Sequence, residues 1–300
     1  MKEADREVAA VAARQHGAFS REQAEAAGLS EESMTRRVVT GRWEALHPAV
    51  YRLVGTPETR QQRLLAATLW AGPKSAISHT TGASLLQLQS AWPDEVHLTV
   101  PPTASGRADG LVVHRVELER GDVVEVDGIR CTNATRTILD CAGLFSDEPL
   151  EAAFEQARRL GLTSPTALAR RAEQLCGKGR PGSARVRRLL TAQAPGERPL
   201  ESRLEVRLAR LLRTSGLPVA ARQHPVSRYR LDFAWPALLV ACECDGFEHH
   251  GARLAWKRDR ARLAAIEAAG WRVVHVTWDD VTRRPEQTLE RLGVALRKAA

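Results

Sequence analysis

From Tyr229 to His250 the chain reads Tyr-Arg-Leu-Asp-Phe-Ala-Trp-Pro-Ala-Leu-Leu-Val-Ala-Cys-Glu-Cys-Asp-Gly-Phe-Glu-His-His, and this stretch sets several acids into an apolar β pattern. Arg230 to Trp235 and Leu238 to Cys244 are short apolar, β-compatible runs broken by Pro236, which predicts two neighbouring strands. Side chains alternate faces along a strand, so Leu239, Ala241, Glu243 and Asp245 share one side, with Glu243 and Asp245 roughly 7 Å apart at about 3.3 Å rise per residue. Asp232 lies on the adjacent strand, where it can face them. Carboxylates gathered in this way repel one another and lose hydration unless a cation neutralises them, and a hard divalent ion bound through oxygen suits that need.

Asp232, the run Glu243-Cys-Asp245-Gly, and His250, with Gln223 upstream and Trp271-Arg-Val-Val-His-Val-Thr-Trp downstream, resemble the very-short-patch-repair-endonuclease-like domain of the PD-(D/E)XK nuclease superfamily. The resemblance covers roughly Pro199 to Arg284 and includes an Asp-x-x-Arg helix at Asp259 and Arg262. It implies Mg²⁺ as cofactor, Asp232, Glu243 and Asp245 as its ligands, and Glu205 and His250 beside them as catalytic groups. Glu205 is the helix glutamate that matches the family's spacing, with Glu201 one turn earlier on the same face. At one point the chain departs from the superfamily: Asp245 stands where a lysine ordinarily follows the second acid by two.

Three hundred residues exceed the usual size of one core, so two or three domains are expected. A hydrophobic fraction of 43% and a charged fraction of 27% describe a globular chain. The sequence holds no run of 18 apolar residues and no apolar signal core at its start, which predicts a cytoplasmic protein with no membrane partner. Five cysteines without a Cys-x-x-Cys pair argue against a disulfide framework or a structural zinc. Cys242 and Cys244 lie on the strand face opposite the acids and read as small buried hydrophobes. Forty-four Lys plus Arg against 36 Asp plus Glu give a net charge of +8, which favours a polyanionic partner such as DNA.

Residues 1–55 read as a winged helix-turn-helix. A first helix ends near His16-Gly17, and Ser20-Arg-Glu-Gln23 is a capping box opening a second that stops at Gly28. A third helix runs from Leu29-Ser30 to about Val39, and a two-stranded wing follows from Gly41 to Val54. In such a unit the later helix enters the major groove, which makes Ser33, Thr35, Arg36 and Arg37 the exposed base-reading candidates and gives Arg21 and Arg42 to phosphates. Short helix-turn-helix units also serve as plain structure or protein-docking modules. His16-Gly-Ala-Phe-Ser-Arg-Glu-Gln-Ala24, Gly41-Arg-Trp, Val50-Tyr-Arg52, the run from Ser78-His79 and Thr135-Arg-Thr-Ile-Leu-Asp140 resemble the AbiEi family of antitoxins from type IV toxin–antitoxin systems. That resemblance, over about Val8 to Leu162, implies a DNA-binding autorepressor and a toxin or other protein as partner.

Residues 56–162 read as an α+β middle domain, with helices over Thr59–Ala71 and Ser78–Gln87, strands at Glu95–Val100 and Leu111–Arg115, and a hairpin turning at Asp127-Gly128. His79 and His114 stand in no metal-ligand spacing and read as core or surface histidines. Residues 163–198 read as a basic helical linker interrupted at Gly177-Lys-Gly-Arg-Pro-Gly182. Residues 199–300 read as the restriction-endonuclease-like domain, a small sheet flanked by helices, in which the basic helix carrying Lys257 follows the acidic loop where a DNA backbone would pass. The fold class expected overall is α/β, or more strictly α+β. Three functions follow: a Mg²⁺-dependent DNA endonuclease in defence or repair, an antitoxin-like repressor with a catalytically silent nuclease fold, and a toxin-neutralising partner. The plain structural alternative is that the acids only form buried ion pairs with nearby arginines.

Overall fold

The computed structural model describes residues 3–177, 179–193, 198–245 and 262–299. Two compact units make up the chain, Met1–Ser146 with Leu162–Leu190, and Asp147–Gly161 with Thr191–Ala300. The class is mixed α/β, as the alternation of periodicities predicts.

The first unit opens with α1 (Glu3–Arg14), β1 (Ala18–Ser20), α2 (Arg21–Ala26), α3 (Glu31–Val39), β2 (Trp43–His47) and β3 (Val50–Leu53), whose strands form a sheet in the order β1-β3-β2. Ser20 and Gln23 close the capping box reciprocally at the start of α2, each side chain satisfying the other's backbone N–H. Ser30 caps α3 through Ser33 N. Phe19, Trp43 and Tyr51 pack together, Phe19 edge-on to Trp43 with centroids 4.7 Å apart, over Val8, Ala12, Leu29 and Met34.

After α4 (Arg60–Ala71), the same unit builds a five-stranded sheet in the order β6-β5-β4-β8-β7, from β4 (Ala76–Ile77), β5 (Val96–Val100), β6 (Leu111–Arg115), β7 (Val123–Val126) and β8 (Ile129–Thr132). Asp127 and Gly128 take φ of 50° and 77°, the left-handed pair that a two-residue hairpin requires. Helices α5 (His79–Leu85), α6 (Ala134–Cys141), α8 (Pro165–Leu175) and α9 (Ser183–Thr191) complete the unit. Arg136, 1% exposed, bonds Asp122 at 2.8 Å and Asp140 at 2.9 Å, while Arg171 and Arg180 reach the same two acids at 2.6 and 2.9 Å. Thus the segment read as a basic linker contributes two of its arginines to a charge network inside this unit as far as Leu190. The four-part division of the chain remains a finer proposal than the two units.

The second unit collects α7 (Asp147–Arg159), α10 (Arg203–Arg213), β9 (Ala221–Val226), β10 (Tyr229–Trp235), β11 (Val240–Asp245), the described part of α11 (residues 262–268), β12 (Arg272–Thr277), α12 (Trp278–Arg283) and α13 (Pro285–Arg297). Its sheet runs β12-β11-β10-β9, antiparallel except for the parallel pair β11–β12. Pro236 ends β10 in a 3-10 turn, and Leu239, with φ of 50°, turns the chain back into β11. Leu204, Leu208, Phe233, Trp235, Val240, Cys242 and Leu292 fill one face of the sheet, while on the other the acids sit beside a second apolar cluster that includes Ala234, Ala241, Ile266 and Trp271.

Candidate functional site

Register decides which side chains meet. Pairing of Phe233 with Cys242 and Ala234 with Ala241 carries Asp232 beside Glu243 on one face. The parallel register sets His275 next to Glu243. On the other flank, pairing of Arg222 with Phe233 and His224 with Leu231 brings Gln223 across from Asp232. Glu205 enters from the first turn of α10, its backbone N–H accepted by the N-cap Ser202.

Gln223 holds these groups together. Its Nε2 donates to Glu205 Oε2 at 2.8 Å and to Asp232 Oδ1 at 3.3 Å. The residue is buried and its φ is 49°, a left-handed conformation that costs an L-residue about 1–2 kcal/mol. Asp232 Oδ2 accepts from Cys244 N at 2.8 Å, and Glu205 Oε2 from Glu201 N at 2.8 Å. Glu243 receives Arg262 Nη2 on Oε2 at 2.7 Å, whereas its buried Oε1 has no hydrogen-bond partner among the described residues. Glu205 and Glu243 are each only 4% exposed, so water does little to neutralise either.

The electrostatics follow from this crowding. Burial pushes Glu205 up to about 7, against the pull of the Glu201 N–H, and the charge of Asp232 pushes further. Burial likewise raises Asp232 and Glu243, the latter further because Asp232 is its neighbour. Like-charged carboxylates are thus assembled, and among the described residues a buried acceptor oxygen is left over. That donor set suits a hard divalent ion. Among the described residues, however, no three His, Cys, Asp or Glu side chains are disposed to hold one ion.

The residues expected to form the site fare differently. Glu205, Asp232 and Glu243 come together. Asp245 stands apart from them: it is exposed, and its Oδ1 lies 3.1 Å from His275 Nδ1, whose pKa that contact raises. His250 and Lys257 lie outside the described residues. Sequence reasoning gave no role to His275 and placed Arg262 in the Asp-x-x-Arg helix, among basic residues along a DNA backbone; the β11–β12 register and the approach of α11 to Glu243 bring both to the acids.

The winged helix also sorts its candidates. Thr35, Arg36 and Arg42 are exposed. Arg36 pairs with Glu32 at 3.3 Å, and half-exposed Arg21 with Glu25 at 2.8 Å and Glu31 at 2.9 Å. Such pairs at the surface are worth about 0–1 kcal/mol and exchange readily for phosphates. Arg37 corrects the expectation of exposure. It is 9% exposed, bonded to Asp5 at 2.7 Å, to Ser33 O at 2.8 Å and to the Ser33 hydroxyl, and lies against the Trp43 ring. Its place on α3 turns it toward α1, and Ser33 is drawn half inward with it.

In the middle sheet three histidines meet that the sequence keeps 17 or 18 residues apart. His79 stacks on His114 with centroids 3.5 Å apart, and His97 Nδ1 lies 3.0 Å from His114 Nε2. Burial holds His79 down to about 2 and His114 to about 4, so both are neutral at neutral pH. They form a stacked array rather than a converging one.

Comparison with known proteins agrees with the two halves. Over 248 residues, 79% of this chain and 87% of the relative, the sequence is 28% identical to the uncharacterized protein Rv2248 of Mycobacterium tuberculosis strain H37Rv, and equally to uncharacterized protein MT2308 of strain CDC 1551. It is 37% identical over 71 residues to uncharacterized protein YcjD of Escherichia coli K12, covering 24% of this chain and 58% of that protein. Among the described residues no helix is long and apolar enough to cross a membrane. Residues 6–54 match the family model of the AbiEi antitoxin transcriptional regulators and residues 204–296 match the restriction-endonuclease-like model REase_MTES_1575, so the chain joins an antitoxin-like winged helix to a nuclease-like domain.

Proposed function

We propose that this protein binds DNA through its winged helix and hydrolyses DNA phosphodiester bonds, in defence or repair, at the acidic cluster of its C-terminal sheet. The observation that carries this reading is the trio of buried Glu205 and Glu243 with half-buried Asp232, their pKa values raised and Glu243 Oε1 unpartnered among the described residues. A site built only for stability would pair that oxygen, since an unsatisfied buried acceptor costs about 1–3 kcal/mol.

Asp232 and Glu243 would hold Mg²⁺, and Asp245, exposed and paired with His275, would act on it only through water. Bound there, the ion supplies a Lewis acid for the nonbridging oxygen and lowers the pKa of water. The chain's own contribution is proton handling and positioning. Glu205, poised near 7, can take a proton from an incoming water at neutral pH. Gln223 fixes its orientation toward Asp232. His275, kept more basic by Asp245, is available to protonate a leaving oxygen, and His250 holds the corresponding place in the resemblance.

A second reading has its own support. Asp245 occupies the position of the usual lysine, and Arg262 already neutralises Glu243, as in a regulator whose nuclease fold is silent. Incubation of the full chain with supercoiled plasmid and Mg²⁺ separates the two. Nicking that Asp232→Asn abolishes supports hydrolysis. Retarded promoter DNA with no Asp232-dependent nicking leaves a repressor, and co-purification of a defined toxin with the chain would add the antitoxin role.

A further inference from the structure

Arg262 stands at the acidic cluster in a way that neither the winged helix nor the carboxylates explain. One nitrogen, Nη2, donates both to Glu243 Oε2 at 2.7 Å and to the backbone carbonyl of Arg230 at 2.8 Å. The side chain remains 33% exposed while Glu243 is 6% exposed. A nearly dry carboxylate beside Asp232 needs a counter-charge, and among the described residues this guanidinium provides it. Among the described residues its hydrogen bonds run through that single nitrogen, so release breaks those two and returns a half-open side chain to water.

We propose that Arg262 is the resident counter-cation of Glu243, occupying the place that a divalent ion must take. The inference rests on reading the cluster as a divalent-ion site. An ion bound by Glu243 and Asp232 needs the lone pairs of their oxygens, and Oε2 already gives one to Arg262. A full positive charge within hydrogen-bond reach of the same oxygen repels the ion directly. Both effects lower the affinity for metal, and both disappear when Arg262 leaves. Glu243 is thereby counter-charged without metal, and loading the site requires an exchange of cations. Arg230 offers an internal comparison: it too is an arginine of this region, but it pairs with Glu201 at 2.6 Å instead of Glu243.

Titration of the full chain with Mn²⁺, followed by electron paramagnetic resonance and calorimetry, tests this without reference to catalysis. Arg262→Gln is expected to bind Mn²⁺ about ten- to a hundredfold more tightly than the parent, the equivalent of losing one charged hydrogen bond from the competing state. Arg230→Gln is expected to stay within about threefold, since an exposed charge that does not touch Glu243 acts only through a screened field. Arg262→Lys keeps the charge and a milder perturbation of the fold, and should remain close to the parent. Mn²⁺ should raise the melting temperature of Arg262→Gln more than that of the parent. If the parent binds Mn²⁺ and Arg262→Gln binds it equally or more weakly, the exchange does not occur and the inference fails while the metal site stands. Equal tightening by Arg230→Gln would also overturn it, because the general field would then suffice. If no form binds Mn²⁺, the divalent-ion reading of the cluster falls, and this inference with it.

Discussion

Glu205 carries its charge at a cost that varies with pH. Its pKa is about 7 in the folded protein against 4.5 for a solvated glutamate, so between those values the folded state holds a proton that the unfolded state has lost. Stability from this group is therefore fully present below about pH 4.5 and declines as pH rises through 7, the opposite of a salt-bridged acid. Glu205→Gln keeps an oxygen for the Gln223 amide and removes the ionisation. It is expected to gain about 1–3 kcal/mol over the parent at pH 8 and little at pH 5, since each tenfold change in proton affinity is worth about 1.4 kcal/mol. Urea denaturation at the two pH values checks it, and parallel behaviour of variant and parent would refute the burial of this carboxylate. Divalent ion ought to flatten the same pH dependence in the parent, provided the cluster binds it. Asp232→Asn should lose that response to ion while remaining folded.

At the scale of single elements, α3 separates a residue that folds from one that recognises. Arg37→Ala leaves Asp5 without its partner and uncovers the edge of Trp43, so it should lower stability by about 2–4 kcal/mol. Arg36→Ala loses only an exposed pair with Glu32 and should change stability by less than about 0.5 kcal/mol. If α3 lies on DNA, Arg36→Ala nonetheless weakens binding, and a phosphate contact there would reduce the salt slope by about one. Denaturation and fluorescence anisotropy over a salt series distinguish these outcomes. The same contrast explains how much of the fold was legible beforehand. Ser20 and Gln23, Asp127-Gly128, and the paired runs around Pro236 are local signals, in which a few neighbouring residues determine the backbone. By contrast β1 and β4, of three and two residues, are too short for a periodicity, and Pro225 disguises β9 as a loop. Helix α12 carries a local signal of its own, the box formed by Thr277 and Asp280, directly after β12. Arg37 was misplaced because a charged residue on a nine-residue helix looks exposed until α1 supplies Asp5. His275 could not be assigned because its meeting with Asp245 depends on a parallel register between strands some 30 residues apart.

On the scale of the whole molecule, a net charge of +8 says less about DNA than the placement of the arginines does. In the first unit Arg136, Arg171 and Arg180 neutralise Asp122 and Asp140 inside the fold, and Arg52 bridges Glu44 and Glu58 beside the wing. These cations hold the protein together and cannot at the same time meet phosphates. Gly182 shows how closely the segment carrying Arg180 is fitted: with φ of 85°, a Cβ there would come within 2.3 Å of the Ala142 carbonyl carbon. Alanine at this position has to displace backbone, so Gly182→Ala should cost more than about 3 kcal/mol. Arg136→Ala is the sharper test of the network. It leaves two buried carboxylates short of a cation, for an expected loss of about 3–5 kcal/mol. Arg136→Lys should recover only a fraction, because a single ammonium cannot reproduce the fork that meets Asp122 through Nη1 and Asp140 through Nε. Calorimetry of the full chain measures both. The second unit has its own core and its own acids, so Asp232-dependent Mn²⁺ binding, if the parent shows it, should survive Arg136→Ala at temperatures where the first unit has begun to melt. A chain in which both properties were lost together would have to unfold as one cooperative body, and the two units would then not be independent in stability.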